Sequence, residues 1–153
     1  MIARPGGVRY PDTMSLPHKA LVQIEVSRYS FVKRRPNGSV DFVSPFPSLF
    51  SYGSVDGVMA DDGDPQDALV VGCAPRRGEA VEYPVWGQVF FVDAGVEDHK
   101  WIVGPRQPSE AQWAVVERFF RLYAWAKRWM SLWRGLSGET ACKGVERKPT
   151  VAG

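Results

Sequence analysis

A short acidic turn holds the residues of this chain best suited to chemistry. Asp62, Asp64 and Asp67 lie close together around Gly63 and Pro65, and an apolar segment follows. Gly63 allows a tight turn and Pro65 stiffens it. Carboxylates held this close repel one another, so they favour a cation between them. Hard oxygen ligands at irregular spacing favour Mg²⁺, Mn²⁺ or Ca²⁺ over zinc. The alternative interpretation of this segment is a solvated acidic turn that binds no metal.

More acidic and basic residues occur at predicted strand ends and turns. Asp93 and Asp98 flank a second glycine-containing turn, with Lys100 two residues further on. Glu25 lies in the first predicted strand, and Lys33 follows it. Side chains at strand ends and turns can converge at the mouth of a barrel. The sequence therefore offers six carboxylates and two lysines for one site.

The elements that must position these residues are mostly strands. The Pro36-Asn37-Gly38 segment is a strong hairpin signal, and Gly87 allows a long strand to bend around a barrel. Two prolines and two glycines favour a shaped loop for residues 44–60. Strands are predicted for residues 20–26, 30–33, 39–43, 67–72, 80–92 and 100–103.

A long helix is predicted after the strands. Ser109 and Gln112 have the spacing of a capping box, and the helix continues to about Leu136. One apolar stripe is expected to face the core, whereas a second could face the core, another copy or a membrane interface. The first stripe is Trp113, Val116, Phe120, Tyr123 and Lys127, and the second is Phe119, Leu122, Ala126, Trp129 and Trp133.

Length and composition indicate one mainly β domain with a long C-terminal helix. Residues 1–19 are predicted to form an irregular arm, residues 20–137 the barrel and helix, and residues 138–153 a polar, mobile tail. The net charge of +2 indicates no nucleic-acid or membrane partner. Neither a secretion signal nor a membrane-spanning run is apparent, and the two cysteines have no metal-site or disulfide spacing, so a cytoplasmic location is expected.

Several motifs occur in the order found in the soluble family I inorganic pyrophosphatases, and the chain resembles that family over residues 20–127. The segment from Asp62 to Asp67 is similar to the DGDPxD signature, and Asp93, Asp98 and Lys100 keep the D-x4-D-x-K spacing. Ile24-Glu25-Val26 and Phe31-Val32-Lys33 look like the family's opening strands, Ser51-Tyr52-Gly53-Ser54-Val55 like its NYG segment, and residues 117–123 like the helix that presents a phosphate-contacting tyrosine.

The resemblance implies an OB-like five-stranded β-barrel and Mg²⁺-dependent hydrolysis of pyrophosphate to two phosphates, with Mn²⁺ as a possible substitute. It implies that Asp64 orients the attacking water and takes its proton. The implied metal ligands are Asp62, Asp64, Asp67, Asp93, Asp98 and Glu25, and the implied phosphate-binding residues are Lys33, Tyr52, Lys100 and Tyr123.

The chain departs from the family pattern at three charged positions. Arg35 stands where the family usually has an acid, Phe42 where it has an arginine, and Ala124 where it has a lysine after the helix tyrosine. Because charged hydrogen bonds contribute roughly 1.5–3 kcal/mol each, the loss of two cations would weaken substrate binding. Lys127 and Arg128, one helical turn beyond Ala124, are candidate replacements, as are Arg28 and Arg35.

Two alternative functions are also compatible with the sequence. One is a non-catalytic relative that binds phosphate or a partner, and the other is a hydrolase of a larger diphosphate such as a nucleotide. A homo-oligomer is also expected, because Trp125, Trp129 and Trp133 recur at every fourth residue and form an aromatic ridge able to serve as an interface. The alternative interpretation of this ridge is a buried core face.

Overall fold

The structure is a computed structural model that describes residues 16–30, 32–34, 37, 39–43, 49–60, 63–135 and 137–148. Within strands 32–34 and 40–43 only the backbone is described, except at residue 40. In chain order its elements are β1 (Lys19–Val26), β2 (Val32–Arg34), β3 (Val40–Val43), β4 (Ser51–Met59), β5 (Pro65–Val70), β6 (Ala80–Asp93), β7 (Val96–Glu97), β8 (Lys100–Val103), α1 (Glu110–Arg134) and β9 (Ala141–Arg147).

Five strands close into a barrel, which confirms the predicted mainly β fold with a C-terminal helix. The strand order is β1-β4-β5-β8-β6, and β6 pairs back onto β1. The pairings are antiparallel except between β5 and β8, which are parallel. The register shift between Val85 and Gly87 in β6 lies at the predicted bend. Outside the barrel, β2 and β3 form the predicted antiparallel hairpin.

Two apolar clusters hold this arrangement together. The first joins barrel strands around Val22, Val70 and Trp101. The second lies between the barrel and α1, where Leu69 and Phe91 contact the helix residues. The barrel therefore has a filled interior, and α1 fixes the position of strands β5, β6 and β8.

Helix α1 begins and ends where the sequence signals place its boundaries. The Ser109 side chain accepts from the backbone N–H of Gln112, and the Gln112 side chain accepts from the backbone N–H of Ser109. Gly135 closes the helix in the left-handed conformation. The first predicted stripe faces the core, whereas the second is divided: Phe119 and Ala126 are buried, and the other members are exposed.

The prediction of a loop over residues 44–60 is wrong for Ser51–Met59, which form β4. Ser51, Gly53 and Val55 are buried in alternation, which is the two-residue period of a strand. Glycine in this segment favoured a loop assignment, yet Gly53 is required by a close approach to β1. A Cβ atom at position 53 would lie 1.9 Å from the backbone oxygen of Gln23.

The prediction of a mobile tail is wrong for Ala141–Arg147, which form β9 against β6. Cys142 and Val145 contact the cluster beneath α1, so this polar segment contributes apolar side chains at intervals. At the other end of the chain, residues 1–15 of the predicted arm lie outside the described residues. Among the described residues, no helix combines the length and apolar character that a membrane crossing requires.

Candidate active site

Lys100 lies at the centre of the candidate site. Strands β5 and β8 run parallel with Asp67 opposite Lys100, and Asp98 lies two residues before Lys100, the first residue of β8. The Lys100 Nζ atom donates to Asp67 Oδ2 at 2.6 Å and lies 2.7 Å from Asp98 Oδ2. Burial lowers the pKa of Lys100, but the two carboxylates outweigh burial and raise it. The ammonium group therefore stays charged and holds two carboxylates of neighbouring strands together.

Tyr52 lies beside this ion pair. Burial first, then the charges of Asp67 and Asp98, raise the pKa of the Tyr52 hydroxyl, which also hydrogen-bonds Asp67. The Lys100 Nζ atom lies 5.7 Å from the centre of the Tyr52 ring. Because its proton is retained, Tyr52 can donate a hydrogen bond to an anionic oxygen at neutral pH.

Glu25 is connected to the site through a serine that the sequence analysis did not identify. The Ser54 hydroxyl donates to Glu25 Oε1 at 3.1 Å, and Ser54 lies opposite Asp67 in the register of β4 and β5. Four neighbouring strands thus present Glu25, Ser54, Asp67 and Lys100 side by side. Ser54 follows Tyr52 by two residues, which places both on one face of a strand. The prediction of a loop for this segment conceals that shared face.

A second group combines strand β6 and helix α1. The Lys127 Nζ atom donates to Asp93 Oδ2 at 2.8 Å and lies 5.6 Å from the centre of the Tyr123 ring. The Tyr123 ring is 5.6 Å from that of Phe91, measured between ring centres. Burial lowers the pKa of Lys127, but Tyr123 and Asp93 raise it by more, so the net shift is upward. The helix therefore contributes both an aromatic hydroxyl and an ammonium group.

The two groups interact with each other. The charge of Lys100 lowers the pKa of Lys127, and Tyr123 raises the pKa of Tyr52. In addition, the backbone N–H of Asp98 donates to the oxygen of Phe91 at 2.8 Å, which ties the turn before β8 to β6. Both lysines and both tyrosines consequently belong to one region of the molecule.

The acidic turn is described only in part. The Ala60 N–H donates to the Asp64 backbone oxygen at 2.8 Å, and Gly63 has a φ of 87°, so the predicted tight turn is present. Asp64 is exposed. Asp62 lies outside the described residues, and for Lys33 the structure describes only the backbone, in β2. The predicted roles of these three residues remain predictions.

In the described part of the chain the predicted metal ligands pair with other side chains. Asp67 and Asp98 contact Lys100, Asp93 contacts Lys127, and Glu25 contacts Ser54. Among the described residues, no group of three or more His, Cys, Asp or Glu side chains could hold a metal ion. The donors nevertheless fit a hard divalent cation, because they are all oxygens and two carboxylates outnumber the one ammonium between them.

His99 is the histidine nearest to the candidate site in sequence, and its contacts are structural. Its Nδ1 atom accepts from the backbone N–H of Phe91 at 3.1 Å, and its ring packs edge-on against Phe90. Its backbone oxygen accepts from Gln66. The imidazole thus stabilises the pairing around β6, and its Nε2 atom lies 3.8 Å from Glu97 Oε2.

Comparisons of sequence identify relatives of this chain. The profile of the family described as inorganic pyrophosphatase matches residues 17–146. The inorganic pyrophosphatase of Halalkalibacterium halodurans is 32% identical over 84 residues, which are 53% of this chain. The matched segment spans 52% of that relative, which is about half of its length.

Solved structures share the fold. The inorganic pyrophosphatase of Helicobacter pylori superimposes with a TM-score of 0.68 at 24% identity, covering 86% of this chain and 85% of that chain. The inorganic pyrophosphatase of Thermus thermophilus gives a TM-score of 0.69 at 23% identity, covering 93% of this chain and 88% of that chain. These likenesses establish a common architecture, with the barrel and helix in the same arrangement.

Proposed function

Because the chain belongs to the inorganic pyrophosphatase family, we propose that it hydrolyses inorganic pyrophosphate to two phosphates in a Mg²⁺-dependent reaction. The observation that carries this proposal is the cluster of Asp67, Asp98, Lys100 and Tyr52 on neighbouring strands. Pyrophosphate is highly anionic, and a site that combines carboxylates for a cation with ammonium groups for phosphate oxygens suits its charge.

The proposed cation site draws on the carboxylates that the resemblance identifies. Asp67 and Asp98 would hold the metal together with Asp62, Asp64, Asp93 and Glu25. Bound Mg²⁺, or Mn²⁺ in its place, would neutralise substrate charge and activate water for attack. With a cation held by Asp67 and Asp98, Lys100 would no longer pair with them and would donate to a phosphate oxygen.

The remaining steps use side chains of the chain itself. Asp64 accepts the proton of the attacking water, whose oxygen forms a bond to one phosphorus while the bridging P–O bond breaks. The leaving phosphate keeps the bridging oxygen and its electron pair. Tyr52, Tyr123, Lys33 and Lys100 bind the phosphate oxygens and stabilise the charge that develops on them.

Two further features complete the proposal. The exposed aromatic ridge of Trp125, Trp129 and Trp133, which are 55%, 54% and 88% exposed as residues, would form a contact between copies in a homo-oligomer. We place the activity in the cytoplasm, and the unpaired thiols of Cys73 and Cys142 agree with a reducing compartment.

Phosphate release from pyrophosphate, measured while Mg²⁺ is titrated from zero, tests the proposed function. We expect release only with the cation, and its loss in Asp64→Asn, because an amide cannot accept the proton. Asp56→Asn, an equally exposed aspartate on β4, is the matched control and should retain full activity. Full activity in Asp64→Asn would contradict the mechanism, and no release from the folded wild-type chain with Mg²⁺ or Mn²⁺ would contradict the function.

Parallel assays with nucleoside di- and triphosphates address the substrate. Hydrolysis of these compounds in preference to pyrophosphate would favour a larger diphosphate as the substrate. Binding of phosphate without turnover would favour the non-catalytic alternative.

A further inference from the structure

We propose that Lys127 is a substrate-binding residue of this chain and supplies, from one helical turn later, the cation that is absent at position 124. The inference rests on the proposed function, since it names a group that binds the same pyrophosphate. Its basis is the placement of the Lys127 ammonium between Asp93, Tyr123 and Lys100.

Position 124 cannot itself present a cation to the site without rearrangement. Ala124 is 2% exposed and belongs to the apolar cluster between α1 and the barrel. Lys127 follows Tyr123 by four positions, so the two side chains lie on the same face of the helix, one turn apart. The Lys127 side chain is 21% exposed, which leaves its ammonium at the boundary between the protein and solvent.

The other candidate on this turn, Arg128, does not share the placement. Arg128 is exposed, whereas Lys127 contacts Asp93 at 2.8 Å. A lysine is also suited to a change of partner, because its ammonium is a compact charge on a flexible four-carbon stem. If Asp93 helped to hold a cation, the Lys127 ammonium would be able to exchange its contact with Asp93 for one with a phosphate oxygen.

The position of Lys127 relative to Lys100 explains why two separate lysines are useful. Lys100 pairs with two carboxylates and Lys127 pairs with one, and the charge of Lys100 lowers the pKa of Lys127. Two phosphate groups joined by one oxygen present anionic oxygens at both ends. We infer that Lys100 binds oxygens on the side of β8, and that Lys127 binds oxygens on the side of α1.

The alternative role of Lys127 is purely structural, as an ion pair that attaches α1 to the end of β6. Binding affinity and folding stability separate the two roles. Lys127→Met keeps the apolar stem and removes the charge, Lys127→Arg keeps the charge, and Arg128→Met is the matched control on the exposed side of the helix. Calorimetric titration with imidodiphosphate, a non-hydrolysed pyrophosphate analogue, in the presence of Mg²⁺ gives the dissociation constant without turnover.

We expect Lys127→Met to raise the dissociation constant about 10- to 100-fold, since a charged hydrogen bond is lost. Lys127→Arg should recover most of the affinity, and Arg128→Met should bind like the wild type. The Michaelis constant of the Lys127→Met protein should rise in parallel, with a smaller change in kcat.

Unchanged affinity in Lys127→Met, with thermal stability alone reduced, would overturn this inference and leave the proposed function intact. A wild-type chain that neither binds the analogue nor hydrolyses pyrophosphate would overturn both. Tight analogue binding without hydrolysis would contradict only the proposed activity, because the effect of Lys127→Met on affinity could still be measured.

Discussion

Lys100 combines two roles that act at different times in the proposed reaction. In the structure it bridges Asp67 and Asp98, with contacts of 2.6 and 2.7 Å. In the proposed complex those carboxylates bind a cation instead. The lysine thus prevents repulsion between two close carboxylates before the cation arrives, and this role can be tested without substrate.

Lys100→Met should lower the free energy of unfolding of the metal-free protein by about 3 kcal/mol, because removing one member of a largely buried ion pair leaves the remaining charges uncompensated. Added Mg²⁺ should raise the melting temperature of this variant more than that of the wild type, since the two carboxylates then lack a competing ammonium. Denaturant and thermal unfolding with chelator and with Mg²⁺ measure both effects.

Lys19→Met is the control for this experiment. Lys19 pairs with Glu82 at 3.1 Å, but both side chains are more than half exposed, so its loss should cost less than about 1 kcal/mol. Equal stability of the Lys100→Met and Lys19→Met proteins would contradict the proposed role of Lys100 before cation binding.

At the residue scale, the sequence identified most of the side chains that the structure brings together. Asp67, Asp98 and Lys100 were identified from their places at predicted strand ends and turns and from the family resemblance, and their contacts follow from the parallel pairing of β5 with β8. The partners of these carboxylates were not predicted, because repulsion among acids suggested a cation and no short-range pattern shows which lysine will approach. Ser54 was missed for a similar reason, since its partner Glu25 lies on another strand.

At the scale of elements, glycine and polar residues concealed two strands. Alternating burial defines β4, but its glycines also match a loop composition. In β9 the apolar positions are few. They indicate a strand only through their contacts with β6 and the cluster beneath α1, which a local sequence pattern does not contain. Elements with a complete local signal, such as the capped helix and the Asn37 hairpin, were predicted within a few residues of their ends.

Gly53→Ala tests how closely β4 must approach β1 to place Tyr52. A Cβ atom there would overlap the backbone oxygen of Gln23 at 1.9 Å, and neither strand can move without disturbing the barrel. We expect a loss of at least about 2 kcal/mol in unfolding free energy, with reduced pyrophosphate hydrolysis. Chemical denaturation and the phosphate-release assay give the two values.

Gly78→Ala provides the comparison for Gly53→Ala. Gly78 has a φ of 94°, and a Cβ atom there would meet nothing within 4 Å, so this variant reports backbone strain without overlap. Its cost should be about 1–2 kcal/mol. A Gly53→Ala protein that is as stable as the wild type would show that the two strands can separate at no cost.

At the scale of the whole molecule, the aromatic ridge is the most unusual surface that the structure describes. The Trp125 and Trp129 rings lie 6.3 Å apart between centres, and both line an apolar groove with Met130 and Trp133. The same helix carries Arg118, Arg128 and Arg134, all exposed. The ridge is therefore apolar with positively charged neighbours, so contact between two copies would be favoured by burial and opposed by charge.

Replacing Trp129 and Trp133 together by alanine should convert the proposed homo-oligomer to smaller species, because much of the apolar contact area is removed. Salt should strengthen the wild-type association by screening the arginines. Light scattering at several concentrations measures both, with Leu21→Ala as an exposed apolar control elsewhere. A wild-type protein that stays monomeric throughout the concentration range would contradict the proposal.

The position of β9 in the chain has a consequence for how the protein is made. Between Gly87 and Val89, strand β6 pairs with β8 on one side and β9 on the other, and the pairing with β9 continues to Val92. During translation, β6 and β8 leave the ribosome well before residues 141–147, so the nascent chain carries an unpaired β6 edge for that interval. Such an edge can pair with other chains. A chaperone that shields it, or rapid synthesis of α1 and β9, would therefore increase the yield of correctly folded protein.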